Sequence, residues 1–99
     1  MPKTGRKPKA KPLESPWHVY LVRCGDGSLY TGITKEVNRR LKQHNAGTAS
    51  RYTRSRRPVK LVYQENHPDQ SSALKREAAI KAMTRQEKLT MIRLRKKAP

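Results

Sequence analysis

The tightest constraint in this chain is a turn. Gly25-Asp26-Gly27 separates two segments rich in β-branched and aromatic residues, Trp17 to Cys24 (WHVYLVRC) and Ser28 to Ile33 (SLYTGI). Glycine supplies positive φ at little steric cost, so the pair reads as a β-hairpin whose first strand starts after Ser15-Pro16. Side chains alternate along a strand, so the loop length decides which residues share a face. A three-residue loop, Gly25 to Gly27, sets Cys24 opposite Ser28 and Val22 opposite Tyr30. Tyr20 then lies diagonal to Tyr30 on one face, within reach of a shared ligand. A two-residue loop would separate the tyrosines; the longer loop is the expectation. Gly32, inside the second strand, marks a bulge, a close approach by a ligand or another backbone, or simply a strand end.

Thr34 reads as the N-cap of a helix reaching about Asn45, with Gly47 as its stop. Val37, Arg40, Leu41 and His44 share one face of that helix, while Arg39, Lys42 and Gln43 face solvent. Burying an unpaired guanidinium is costly, so Arg40 faces either a groove holding an anion or a local carboxylate. Pro58 to Glu65 alternates Val59, Leu61 and Tyr63 against Lys60, Val62 and Gln64, a third strand. Asn66 to Gln70 reads as a turn, with His67 an exposed loop histidine of no assigned role. Residues 71–83 form an alanine-rich helix pattern in which Glu77 lies among Ala73, Leu74 and Ile80. A carboxylate in an apolar stripe needs a cation, a hydrogen-bond donor or a metal. Thr84-Arg85-Gln86-Glu87 is a capping box for a last helix that buries Leu89 and Ile92, with Met91 and Leu94 as further candidates.

The core these elements can build is small, because only 33% of 99 residues are hydrophobic. The opening MPKTGRKPKAKPLESP adds almost nothing to it and reads as a flexible basic arm over residues 1–16. The folded unit is then 17–94, with a short basic tail at 95–99. A net charge of +17, from 24 Lys and Arg against 7 Asp and Glu, attracts a polyanion, most commonly nucleic acid, with steep salt dependence. Ala49 to Arg57 (ASRYTRSRR) concentrates that charge in Arg51, Arg54, Arg56 and Arg57. The hydroxyls of Ser50, Thr53 and Ser55 can bond phosphate there, and Tyr52 offers a ring on which a base of a single or distorted strand can stack. Taken singly, these residues read equally well as a solvated loop. Cys24 is the only cysteine, which excludes an internal disulfide and a cysteine-rich zinc site and fits a reducing compartment. No apolar run approaches the ~20 residues of a membrane span, and the start lacks a secretory pattern. A bacterial cytoplasm or a nucleoid-associated location is the expectation, with no membrane partner.

Two phenols, a guanidinium and an imidazole on one surface suit gripping and cutting a phosphodiester, and Glu77 could supply a metal site. Their order and spacing resemble the GIY-YIG nuclease domain. Tyr20 stands in VYL, Tyr30 to Gly32 reads YTG, Arg40 follows Tyr30 by ten residues and His44 by four more, and Glu77 lies on a helix after the third strand. The likeness covers roughly Trp17 to Met91 and is greatest to the small stand-alone bacterial members, the YhbQ-like group. Gly-Ile-Tyr is His18-Val19-Tyr20 here, Tyr-Ile-Gly is Tyr30-Thr31-Gly32, and the lysine some members place next is Ile33.

The resemblance implies an α+β fold, a three-stranded antiparallel sheet flanked by helices. It also implies hydrolysis of nucleic-acid phosphodiesters with one divalent ion, Mg²⁺ or Mn²⁺. Tyr20, Tyr30, Arg40, His44 and Glu77 are the matching positions: a tyrosine helps activate water, the arginine steadies the phosphate and the glutamate holds the metal. A free phenol has a pKa near ~10, so Tyr20 could act as a base only if nearby cations lower it. His44 could relay a proton or position water. The expected activity is metal-dependent cleavage of DNA, by structure rather than sequence, in repair or the damage response. The alternative is a non-catalytic nucleic-acid-binding module accessory to repair or RNA metabolism. The oligomeric state is left open.

Overall fold

A computed structural model of the protein describes residues 16–97; the basic arm expected over residues 1–16 falls almost wholly outside that range. Strands β1 (Trp17–Arg23), β2 (Leu29–Thr34) and β3 (Lys60–His67) form one antiparallel sheet in the order β2-β1-β3. Helices α1 (Val37–Ala46), α2 (Arg51–Arg54), α3 (Gln70–Lys81) and α4 (Arg85–Lys97) complete it. The fold is α+β, as the motifs implied. Among the described residues no helix is long and apolar enough to cross a membrane. Helix α4 runs to Lys97, three residues past the folded limit expected at 94.

The hairpin takes the three-residue loop. Cys24 N–H donates to the Ser28 carbonyl at 2.8 Å, Val22 pairs with Tyr30, and Tyr20 pairs with Gly32. Only Gly27 of the two turn glycines uses positive φ, at 87°. The Asp26 carboxylate closes the turn by accepting from the Ser28 amide at 3.0 Å.

Alternation along β1 builds a core on each face of the sheet. Val19 and Leu21 pack with Tyr63, Ala73, Ile80 and Ile92 beneath α3 and α4. Tyr20, Val22 and Cys24 pack with Val59, Leu61, Tyr30 and Leu41 beneath α1. Strand β3 departs here from the strict alternation expected of it. Its register against β1 shifts between Leu21 and Val22, so Tyr63 opposes Leu21 but Leu61 opposes Val22. Leu61 and Val59 thereby serve one face while Tyr63 serves the other, which a period of two within β3 could not reveal.

Three local expectations are corrected. Thr34 does not cap α1: its hydroxyl accepts from the Glu36 amide at 3.1 Å in a turn, and α1 starts at Val37 with no side-chain cap. The stop at Gly47, in left-handed geometry, is as expected. His67 is the last residue of β3 rather than an exposed loop residue. Its Nε2 lies 2.7 Å from Glu65 and its Nδ1 2.7 Å from Ser72, where half-buried Glu65 also binds Tyr63 and, at 2.9 Å, Arg76. Leu94 is 61% exposed and so outside the core, whereas Ile92 is buried and the Thr84–Glu87 capping box forms with both of its hydrogen bonds.

Candidate active site

Tyr20 sits on the central strand with its ring on the α1 face, only 2% exposed. A buried phenol needs a hydrogen-bond partner, and here the hydroxyl lies 2.8 Å from His44 Nε2. His44 Nδ1 lies 2.8 Å from Thr53 Oγ1, and the imidazole is 0% exposed. Thr53 in turn lies 3.0 Å from Ser50 Oγ, which accepts the Thr53 amide and caps α2. A line of hydrogen bonds thus runs from Tyr20 through His44 to Thr53, joining β1, α1 and α2. Its direction follows from the neighbours. Arg40, also beside the phenol, can only donate, so the Tyr20 proton finds its acceptor at His44 Nε2. His44 Nδ1–H then donates to Thr53, whose hydroxyl points on to Ser50.

Electrostatics reinforce that assignment. Burial pushes the Tyr20 phenol up to about 12; Arg40 pulls it back only in part, and the charge of Glu77 adds to the rise. Arg40 by itself does not meet the condition set for Tyr20 to act as a base, because desolvation of the phenolate outweighs that one charge. Burial, then the charge of Arg40, lowers the His44 pKa, which keeps the imidazole neutral and able to accept.

Gly32 has its explanation in the same place. A Cβ built there would stand 2.6 Å from the Tyr20 hydroxyl. The close approach is made by a side chain of the neighbouring strand, neither a bulge nor another backbone.

Tyr30 meets His44 edge-on, with ring centroids 5.1 Å apart, and stacks on Tyr52 at 5.9 Å. The Arg56 guanidinium lies 3.9 Å from the centre of the Tyr52 ring. The platform expected for a base on Tyr52 is therefore already in use. Arg56 is further tied to Asp26 at 3.1 Å, and Arg57 donates to the Arg54 carbonyl at 2.9 Å. Of the four arginines expected to bind nucleic acid, Arg56 and Arg57 thus hold the fold together, while Arg51 and Arg54 are exposed on α2. The hydroxyls of Ser50 and Thr53, expected to meet phosphate, are consumed internally.

Arg40 pairs with no carboxylate among the described residues. One Nη donates to Gln43 Oε1 at 3.1 Å and the other to the Ala49 carbonyl at 3.4 Å, which holds the guanidinium in a groove of about 390 Å³. Of the two settings open to Arg40, the groove is the one found. Gln43, expected in solvent, orients it.

Glu77 rides on α3, which packs on the opposite face of the sheet, yet its charge is felt at Tyr20. Its carboxylate meets Lys81, one turn on, at 3.3 Å. Among the described residues no three His, Cys, Asp or Glu side chains gather into a metal cage. Mg²⁺ needs no cage: one or two carboxylates plus waters and substrate phosphate oxygens suffice. An ion held through the single carboxylate of Glu77 would take its other ligands from water and substrate, which is within what Mg²⁺ accepts. Thr53, like Gln43, is a member of the site whose place the sequence did not reveal. The signal was the Ser50-x-x-Thr53 spacing of a helix cap, which turns the threonine inward.

A profile of the GIY-YIG catalytic domain matches residues 16–90. The chain belongs to the GIY-YIG family. A UPF0213 protein of Staphylococcus epidermidis is 60% identical over 74 residues, covering 75% of this chain and 90% of that relative. One of Staphylococcus aureus is 57% identical over 77 residues, covering 78% and 94%. This GIY-YIG chain also superposes on solution NMR structures. A UPF0213 protein from Bacillus halodurans gives a TM-score of 0.53 at 38% identity, covering 80% of this chain and 84% of that one. An E. faecalis protein gives 0.57 at 35% identity, covering 86% and 92%. The chain thus carries a nuclease-type domain from a family whose nucleases generally depend on a divalent metal, and whose substrates are nucleic acids.

Proposed function

We propose that this GIY-YIG protein is a metal-dependent nuclease that hydrolyses DNA phosphodiesters at damaged, branched or single-stranded structures, in repair, within the bacterial cytoplasm. The observation that carries the reading is the buried line Tyr20–His44–Thr53, set beside Arg40 and within the field of Glu77. A merely basic binding surface needs no such line. Arg40 binds non-bridging phosphate oxygens, and a guanidinium suits that geometry. Tyr20, protonated at neutral pH, passes its proton to His44 Nε2 as its oxygen takes one from the attacking water. Thr53 receives the Nδ1–H of the resulting imidazolium. Tyr30 walls the imidazole edge-on and keeps water from it. A divalent ion at Glu77, when bound, supplies positive charge for the phosphoryl and leaving oxygens. Arg51 and Arg54 hold flanking backbone. The net charge of +17 and a fold that, among the described residues, has no separate element to read bases support a preference for DNA structure over sequence.

The test is cleavage of labelled single-stranded, duplex and branched DNA, with and without Mg²⁺ or Mn²⁺. Metal-dependent products that vanish in Glu77→Ala and Arg40→Ala are expected. Glu77→Ala cutting as fast as the parent removes the metal role, and Arg40→Ala that loses affinity alone makes Arg40 a docking residue. One observation favours a binding module without catalysis: Lys81 already neutralises Glu77. Under that reading no metal produces a cut on any of the three substrates.

A further inference from the structure

The groove at Arg40 contains more chemistry than one phosphate contact uses. It lies where the open end of the β1–β2 hairpin meets the start of α1, and Trp17, Lys35, Glu36, Arg39 and Gln43 line it with Arg40. Trp17 is the chain's single tryptophan. It is half-buried against the sheet core, and the Lys35 ammonium stands 5.5 Å from its ring centre. Helix α1 opens here with no side-chain cap and no acid in its first turn. Lys35, Arg39 and the free amides of that turn outweigh the one acid lining the groove, Glu36 at the N-cap position, and make a place for an anion beside an aromatic ring.

We propose that this groove is a subsite for one unpaired nucleotide flanking the phosphate held at Arg40. Its base stacks on Trp17, and its own phosphate sits on Lys35, Arg39 and the opening amides of α1. The identity of the neighbouring phosphate as the cut one rests on the nuclease reading; the binding does not. A base inside a duplex has both faces stacked already, so an aromatic side chain can take only a base that is out of the stack. A volume of about 390 Å³ lies in the range of small-ligand sites, roughly 300–1,000 Å³, which suits a nucleotide and not a duplex. Lys35 is exposed and its contact with the ring is the exchangeable kind, so an arriving base displaces the ammonium onto its phosphate. Tyr52, an exposed ring near the site, has Arg56 over it, tied in turn to Asp26, and does not take this role.

Because Trp17 is the only indole, its fluorescence reports this groove directly. The whole chain in EDTA, where no cleavage occurs, is titrated at low salt with a short single-stranded oligothymidylate and with a blunt duplex of equal phosphate number. Saturable quenching by the single strand, with a much smaller change from the duplex, is the expected result. Lys35→Ala/Arg39→Ala, both surface positions, lowers single-strand affinity about tenfold. It also flattens the log–log salt dependence by roughly 0.7 per phosphate contact removed. Trp17→Leu, which keeps an apolar side chain against the sheet core but removes the π face, loses most of the preference for single strand measured by anisotropy. Equal quenching by both ligands, no quenching by either, or an unchanged affinity in the lysine–arginine variant overturns the subsite. The two readings fail separately. Metal-dependent cleavage without a Trp17 response rejects the subsite alone, and quenching by a single strand that is never cut rejects the nuclease alone.

Discussion

Replacing Thr53 by valine isolates the residue whose hydroxyl the sequence pointed toward phosphate and the fold turns toward His44. Valine has nearly the shape of threonine, so the buried position opens no cavity, but His44 Nδ1 loses its only acceptor, now 2.8 Å away. Leaving a buried donor unpaired costs about 1–3 kcal/mol. The imidazole can avoid that cost by moving its proton to Nε2, and there it would donate to Tyr20 instead of accepting from it. In that tautomer the phenol can no longer discharge its proton to His44, and where Nδ1–H stays put the imidazolium loses the acceptor that steadies it. General-base contributions are on the order of 10²–10⁴ in rate, so single-turnover cleavage should fall about 10²-fold, equivalent to about 2.7 kcal/mol of barrier. DNA affinity should hold, because Arg40, Arg51 and Arg54 are untouched. Thr53→Ser should restore most of the rate. Nitrogen-15 NMR of the imidazole gives the independent reading, the proton on Nδ1 in the parent and on Nε2 in the valine variant. Full-speed cleavage by Thr53→Val, or a parent imidazole protonated at Nε2, would refute the relay.

Three further outcomes follow from the same geometry. Gly32→Ala should push the Tyr20 ring off His44, since the new methyl would stand 2.6 Å from the hydroxyl; a tenfold or greater drop in cleavage, with stability lowered by about 1–3 kcal/mol as overpacking a core does, checks this. In the pH profile, the working form of His44 is neutral and its pKa is held below the ordinary 6.5, so cleavage should persist down to that value and fail only beneath it. Unfolded His44 takes up a proton near 6.5 where the folded residue resists, so stability measured by urea unfolding should decline as pH drops below 6.5. Glu65→Gln should cost about 2 kcal/mol, because Tyr63, His67 and Arg76 all converge on that carboxylate, and should lower the melting temperature by roughly 4–8 °C per kcal/mol. Burial alone would raise the Glu65 pKa, but those hydrogen bonds outweigh it and hold it below 4.5. The variant should therefore lose the parent's decline in stability as pH falls from 4.5 through the folded value.

What could be read from the chain alone was local. The hairpin register followed from the loop length and a period of two, and it fixed Tyr20 diagonal to Tyr30. The helix carrying Arg40 and His44 and the capping box at Thr84 needed only near neighbours in sequence. The unread parts depend on contacts between distant segments. His44 lies deeper than a residue looking along a groove because Thr53, on a different helix, supplies its second bond. Arg56 and Arg57 looked like free cations until the hairpin tip at Asp26 and the end of α1 came to meet them. The split between Leu61 and Tyr63 arises from pairing with β1, and His67 became structural because Glu65 and Ser72 flank it in space.

The fastening of His44 has a consequence for how the protein fails. Helix α2 is a single turn of four residues, too short to persist by its own backbone bonds. It survives through the Ser50 cap and through arginine side chains reaching Asp26 and Asn45. The imidazole that orients Tyr20 is therefore clamped by the feeblest segment of a molecule whose central strand is paired on both sides. Gentle warming or dilute denaturant would free that clamp while the sheet stays intact, so hydrolysis would stop well before the polypeptide came apart.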